Sequence, residues 1–99
     1  MNHSEQNLDR RLRAIADPTR RRILKVLKEK RANSIGKGVG LCASDIEERI
    51  PLSQPTISHH MSVLAKAELV ETKKVGHWMW YRRNEATLKD FAKGLKESL

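Results

Sequence analysis

Leu52-Ser-Gln-Pro-Thr-Ile-Ser-His-His-Met-Ser-Val-Leu-Ala-Lys-Ala-Glu-Leu-Val70 is the stretch on which the reading of this chain turns. It predicts one short helix. Ser53 can cap it, and Pro55 falls in the first turn, where a missing N–H costs little. At about 100° per residue, Ile57, Met61 and Leu64 share a stripe that has to face a core. The opposite stripe carries Pro55, His59, Ser62 and Lys66, flanked by Gln54, Thr56 and Ser58. Short hydrogen-bonding side chains on such a face can reach base edges and phosphates, which makes this a candidate reading helix for DNA.

The flanks extend the pattern. Ser44-Asp-Ile-Glu47 has the form of a capping box and opens a short helix running to about Arg49. Pro51-Leu52-Ser53 turns that helix into the next, so the two predict a helix-turn-helix. Downstream, Val70-Glu-Thr-Lys-Lys74 and His77-Trp-Met-Trp-Tyr-Arg-Arg83 flank a turn at Val75-Gly76 and predict a β-hairpin. A hairpin directly after a helix-turn-helix is a winged helix. Leu41-Cys42-Ala43 is expected as a short strand beside the wing. Alternation puts Trp78, Trp80 and Arg82 on one face of the hairpin, Met79 and Tyr81 on the other.

The rest of the chain is helical in pattern. Leu8, Leu12 and Ile15 line a first helix that ends before Asp17, with residues 1–6 expected as a flexible tail. Asp17 can cap a second helix with Pro18 at its first position. That helix buries Ile23, Leu24 and Leu27 and runs to about Lys30. Arg20 lies on the buried stripe and is expected in a structural ion pair, whereas Arg21, Lys25 and Lys28 form a solvated face. Residues 33–40 read as a flexible connection; Gly36-x-Gly38-x-Gly40 lacks the Gly-Lys-Ser/Thr ending and preceding strand of a phosphate loop. A last helix from about Glu85 spaces Leu88, Phe91, Leu95 and Leu99 near the helical repeat. The expectation is a single winged helix-turn-helix domain over 1–99, mainly α with a small β-hairpin wing and five helices.

Composition agrees. Ninety-nine residues make one small domain, and a net charge of +8 with a pI near 10.1 fits a polyanionic partner. There is no run of about 18 apolar residues to span a bilayer. The first residues lack the charged and apolar regions of a secretory signal. A single cysteine excludes an intrachain disulfide and suits a cytoplasmic location. No nucleophile–base constellation or cofactor loop is present, so neither enzymatic activity nor a cofactor is expected.

Four segments together, Asp17-Pro-Thr-Arg-Arg-Arg-Ile-Leu24, Leu52–Met61, Ala67-Glu-Leu-Val70 and Gly76-His-Trp-Met-Trp-Tyr-Arg82, resemble the ArsR/SmtB family of bacterial winged-helix regulators over roughly residues 8–97. The resemblance implies a homodimeric transcriptional regulator that binds double-stranded operator DNA and usually represses. It implies a dimer interface made by the terminal helices, in agreement with the stripes of Leu8, Leu12, Ile15, Leu88, Phe91 and Leu95. On this reading Gln54, Ser58, His59 and Ser62 meet the groove, Thr56 and Lys66 hold phosphates, and Lys73, Lys74, His77, Arg82 and Arg83 bring the wing to the backbone.

The resemblance also implies a sensing site, and here the chain departs from the pattern. Gly40-Leu-Cys-Ala-Ser-Asp-Ile46 resembles the family's metal box Glu-Leu-Cys-Val-Cys-Asp-Leu, but Ser44 stands for the second cysteine. Thiophilic ions need two or three thiolates. The family's other site uses Asp and His ligands on the last helix, which carries no histidine here. Of the four histidines, His59 faces outward on the reading helix and His60 is expected to pack at the edge of the buried stripe. His77 sits at the wing tip and His3 in the tail. No metal site is expected. The alternatives are a metal- or redox-responsive repressor acting through Cys42, or a winged helix that binds RNA or protein.

Overall fold

The computed structural model describes residues 3–30 and 41–99. Five helices and three strands follow in the order α1 (His3–Ile15), α2 (Pro18–Lys30), β1 (Leu41–Cys42), α3 (Ala43–Arg49), α4 (Gln54–Lys66), β2 (Val70–Val75), β3 (Trp78–Arg83) and α5 (Glu85–Ser98). α1 begins at His3, so residues 3–6 are helical rather than the expected tail. The connection at 33–40, with its three glycines, lies outside the described residues.

α1 and α2 are joined by capping chemistry. Asp17 Oδ1 accepts from the backbone N–H of Thr19 at 2.7 Å and of Arg20 at 3.1 Å, which starts α2. Those bonds, from Arg20 above all, hold the Asp17 carboxyl below its ordinary value of 3.8. Arg20 then reaches back. Its Nε donates to the Ala14 carbonyl at 2.6 Å, its Nη1 lies 3.2 Å from His60 Nδ1, and its ion pair with Asp17 is a long 4.0 Å. Arg20 is structural, as expected, but mainly as a donor to the open carbonyls at the end of α1. Arg21 does the same at Ile15, at 2.6 Å.

α3 opens two residues earlier than its sequence suggests. Cys42, not Ser44, is the residue before the first turn, and Asp45 rather than Glu47 closes the box. The Cys42 backbone N–H donates to Asp45 Oδ2 at 3.1 Å, and the thiol donates to the same oxygen at 3.2 Å. The two-residue strand β1 is the reason: it ends at Cys42 and leaves no room for a loop before the helix.

β1, β3 and β2 form one antiparallel sheet in that order. The expected hairpin is therefore the larger part of a three-stranded wing, with Leu41 opposite Tyr81 and Cys42 opposite Trp80. Its loop is Gly76-His77, one residue later than the sequence suggests. Gly76 takes φ +60° while His77 stays at negative φ, the pattern of a two-residue turn with glycine first. Trp80 and Tyr81 are both buried, although they point to opposite faces, because both sit where β3 has a strand on each side. Trp78 and Met79, beyond the end of β1, are exposed.

The core gathers Ile23, Leu24 and Leu27 from α2, Ile46 from α3, Ile57, Met61 and Leu64 from α4, and Leu69, Tyr81 and Phe91. Ile57, Met61 and Leu64 are 0% exposed. Burial of each contributes on the order of 1.5–3 kcal/mol, so the orientation of α4 is strongly fixed. Leu8, Leu12, Ile15 and Leu88 pack partly buried against this core.

Candidate nucleic-acid interface

α4 is held at both ends. Ser53 caps it: its Oγ accepts from the Thr56 N–H at 3.4 Å and lies 2.9 Å from Thr56 Oγ1. At the other end Glu68 takes φ +63°, with its N–H on the Ala65 carbonyl at 2.9 Å and the Leu69 N–H on the Leu64 carbonyl at 3.0 Å. That left-handed cap is normally glycine's, and a side chain there costs about 1–2 kcal/mol. Arg11 of α1 secures the same end, its Nε donating to the Ala67 carbonyl at 3.1 Å and its Nη2 lying 3.8 Å from Glu68. Position and exit angle of α4 are thus set before any ligand arrives.

With one stripe sealed in the core, the other is bare. Gln54, Thr56, Ser58, His59, Ser62 and Lys66 are all exposed. The Thr56 hydroxyl is engaged with Ser53, so it can donate to a phosphate oxygen and keep that bond only where Ser53 is the donor of the pair. His60, half-buried on Arg20, belongs to the scaffold, as the sequence suggests.

The wing divides its cations into two kinds. Lys73, Lys74 and His77 are exposed, and neither lysine has an ion pair among the described residues. Arg82 is bound across the hairpin to Glu71, Nε to Oε2 at 2.6 Å, in direct register. Both side chains are about half exposed, so this pair contributes at most about 1 kcal/mol and can exchange for a phosphate. Arg83 is different. It is 16% exposed, with Nη1 donating to the Leu24 carbonyl at 3.4 Å and Nη2 to Glu85 Oε1 at 3.2 Å. It joins the wing to α2 and α5, and its guanidinium faces the fold. Alternation from buried Tyr81 carries the signal for this, since residue 83 falls on the same face.

Cys42 is buried. Its Sγ lies 3.1 Å from Ser44 Oγ and 3.2 Å from Asp45 Oδ2. Among the described residues no three His, Cys, Asp or Glu side chains gather as metal ligands. Among the described residues no helix is long and apolar enough to cross a membrane.

A second feature lies away from α4. α1 and α5 border an open groove of about 470 Å³, lined by Leu8, Phe91 and Gly94 among mostly polar and charged residues. A Cβ at Gly94 would meet nothing within 4 Å, so the groove is open there.

Comparison with known proteins matches this geometry. Residues 15–73 fit a family described as a helix-turn-helix domain. The chain is 40% identical to an arsenical resistance operon repressor of Staphylococcus aureus, over 93% of this chain and 80% of that protein. It is 38% identical to the transcriptional repressor SdpR of Bacillus subtilis, over 79% of this chain and 77% of that protein. Among solved structures, an ArsR-like transcriptional regulator from Rhodococcus sp. RHA1 superposes with a TM-score of 0.77 at 29% identity, covering 97% of this chain and 82% of that one. The half-sealed helix α4, the three-stranded wing and these relatives agree: the chain belongs to the ArsR/SmtB family of winged helix-turn-helix transcriptional regulators.

Proposed function

We propose that the protein is a homodimeric repressor that reads a specific operator through α4 and steadies itself with the wing. The observation that carries this is the two-faced α4: Gln54, Ser58, His59, Ser62 and Lys66 stand exposed opposite a stripe that is 0% exposed. Such a helix, offering short hydrogen-bonding groups on a rigid mount, suits the major groove. Repression is supported by the relatives, which are named repressors. Protection of a discrete site in the DNA upstream of the gene tests the reading. Uniform binding to unrelated duplexes would refute it, and preference for RNA or a protein would assign the winged helix to another partner.

The α1–α5 groove supports the second half of the proposal. Leu8, Leu12, Ile15, Leu88 and Leu95 are only half-buried along the two terminal helices, and a second copy of the chain laid on these helices would cover them and bring two α4 helices into one dimer. Two such helices about one DNA turn apart (~34 Å) match a pseudo-palindrome.

The wing lysines should act through phosphates and carry little sequence information. Lys73 and Lys74 point to opposite faces of an edge strand and can straddle a backbone. Replacing both by glutamine should flatten the log–log salt dependence of operator binding by about 3–4 for a dimer, close to 0.9 for each lost contact. Salt titration of the single variants separates the two. A variant that leaves the slope unchanged has a lysine facing solvent.

The sensing chemistry of the named arsenical repressors is not expected here. Cys42 offers one thiol, and it is spent on the start of α3, beside a hydroxyl where a second thiolate would be needed. Low micromolar arsenite, cadmium or zinc should leave the operator complex intact. Release that disappears in Cys42→Ser would show a rebuilt site. Release that survives Cys42→Ser would direct attention to His3 and His77.

A further inference from the structure

α1, the first turn of α2 and the end of α4 border an open hollow of about 240 Å³ that shares only Lys66 with the exposed stripe of α4. It is lined by Arg10, Arg13, Ala14, Arg20, Val63 and Lys66. Ala14 is 1% exposed and offers almost no surface, so the apolar part of the lining is half-buried Val63 together with the arginine and lysine stems. Arg20 is committed to the Ala14 carbonyl and His60. The other three cations are not committed. Arg10, Arg13 and Lys66 are exposed, and none has an ion pair or side-chain hydrogen bond among the described residues.

We infer that this hollow binds a small amphipathic carboxylate, its anionic head among Arg10, Arg13 and Lys66 and its apolar body on Val63 and the stems of the basic side chains. Three unpaired cations around one concavity repel one another, and an anion between them removes that repulsion while making charge-assisted hydrogen bonds. Inorganic phosphate would satisfy the rim and leave the apolar lining wet. The volume equals roughly eight waters of bulk liquid, room for a ligand of the size of benzoate or octanoate.

Lys66 gives the site a consequence. It lies both on the rim of the hollow and at the end of the exposed stripe of α4, so a carboxylate that engages it competes with a DNA phosphate. The ligand should therefore lower operator affinity, and by linkage operator DNA should lower ligand affinity by the same factor. This coupling rests on the DNA-reading function proposed above; the binding site itself does not.

The test uses octanoate as the probe, titrated calorimetrically into the full chain without DNA, with 1-octanol as the uncharged counterpart. Saturable binding at one octanoate per protomer is expected, with octanol and the R10Q/R13Q variant each weaker by about tenfold or more. Saturating octanoate should weaken operator binding by roughly 5–150-fold in wild type and not in R10Q/R13Q. Absence of saturable binding, equal binding of octanol, or undiminished binding by a folded R10Q/R13Q would overturn the site. Octanoate that binds yet leaves operator affinity unchanged would overturn the competition at Lys66. Saturable octanoate binding by a protein that selects no DNA sequence would leave the site standing and remove the repressor function instead.

Discussion

Changing His59 and Ser62 together to alanine is expected to weaken operator binding by at least about 4 kcal/mol, roughly a thousandfold, while the fold is kept. Each lost base-edge contact costs about 1–3 kcal/mol, and a dimer loses two from each protomer. Both side chains are exposed, and neither has a hydrogen bond among the described residues. Alanine is also the better helix former, so the melting temperature should not fall. Binding isotherms and thermal melts on the same preparations check both halves. If the double variant holds a selected operator as tightly as wild type, α4 is not the reader.

The second large effect concerns the terminal helices. Phe91 is 7% exposed within one chain and belongs to the monomer's own core. Phe91→Asp would bury an unpaired charge and is expected to unfold the protein, which says nothing about association. Leu95 is the informative position. It is only half-buried and lies outside the core cluster that holds Leu8, Leu12, Ile15 and Leu88 at its edge. Leu95→Lys should leave the monomer folded and remove about 3–6 kcal/mol of apolar burial from a dimer, two side chains at about 1.5–3 kcal/mol each. The dimer dissociation constant should rise by about 10²–10⁴. Sedimentation of wild type and variant over a concentration series decides it. A wild type that sediments as a monomer at micromolar concentration removes the dimer, and an unshifted variant places the interface elsewhere.

The main architecture was readable because it rests on periodicity. Ile57, Met61 and Leu64 repeat at helical spacing, the polar row falls opposite, and Gly76 marks the hairpin; all three survive in the fold. What escaped was set by contacts distant in the chain. Cys42 starts α3 because β1 pairs with β3, a partner some forty residues away, whereas Ser44 had the better local signature. Arg82 and Arg83 read as two wing cations, but cross-strand register gives Arg82 to Glu71, and packing against α2 turns Arg83 inward. Phe91 shares its stripe with Leu88 and Leu95, and periodicity does not tell a residue that meets its own core from one that awaits a partner. The hollow between α1 and α4 escaped for the same reason: Arg10 and Lys66 are brought together only by the tertiary fold.

Selection of bound sequences from a random duplex library by the wild-type protein tests the central claim most directly. A dimer that reads through α4 should enrich a pseudo-palindrome whose half-site centres lie about 10 base pairs apart, and the enrichment should vanish for the His59→Ala, Ser62→Ala double variant. A library that emerges with no enriched sequence, or a palindrome retained in full by the double variant, would contradict it.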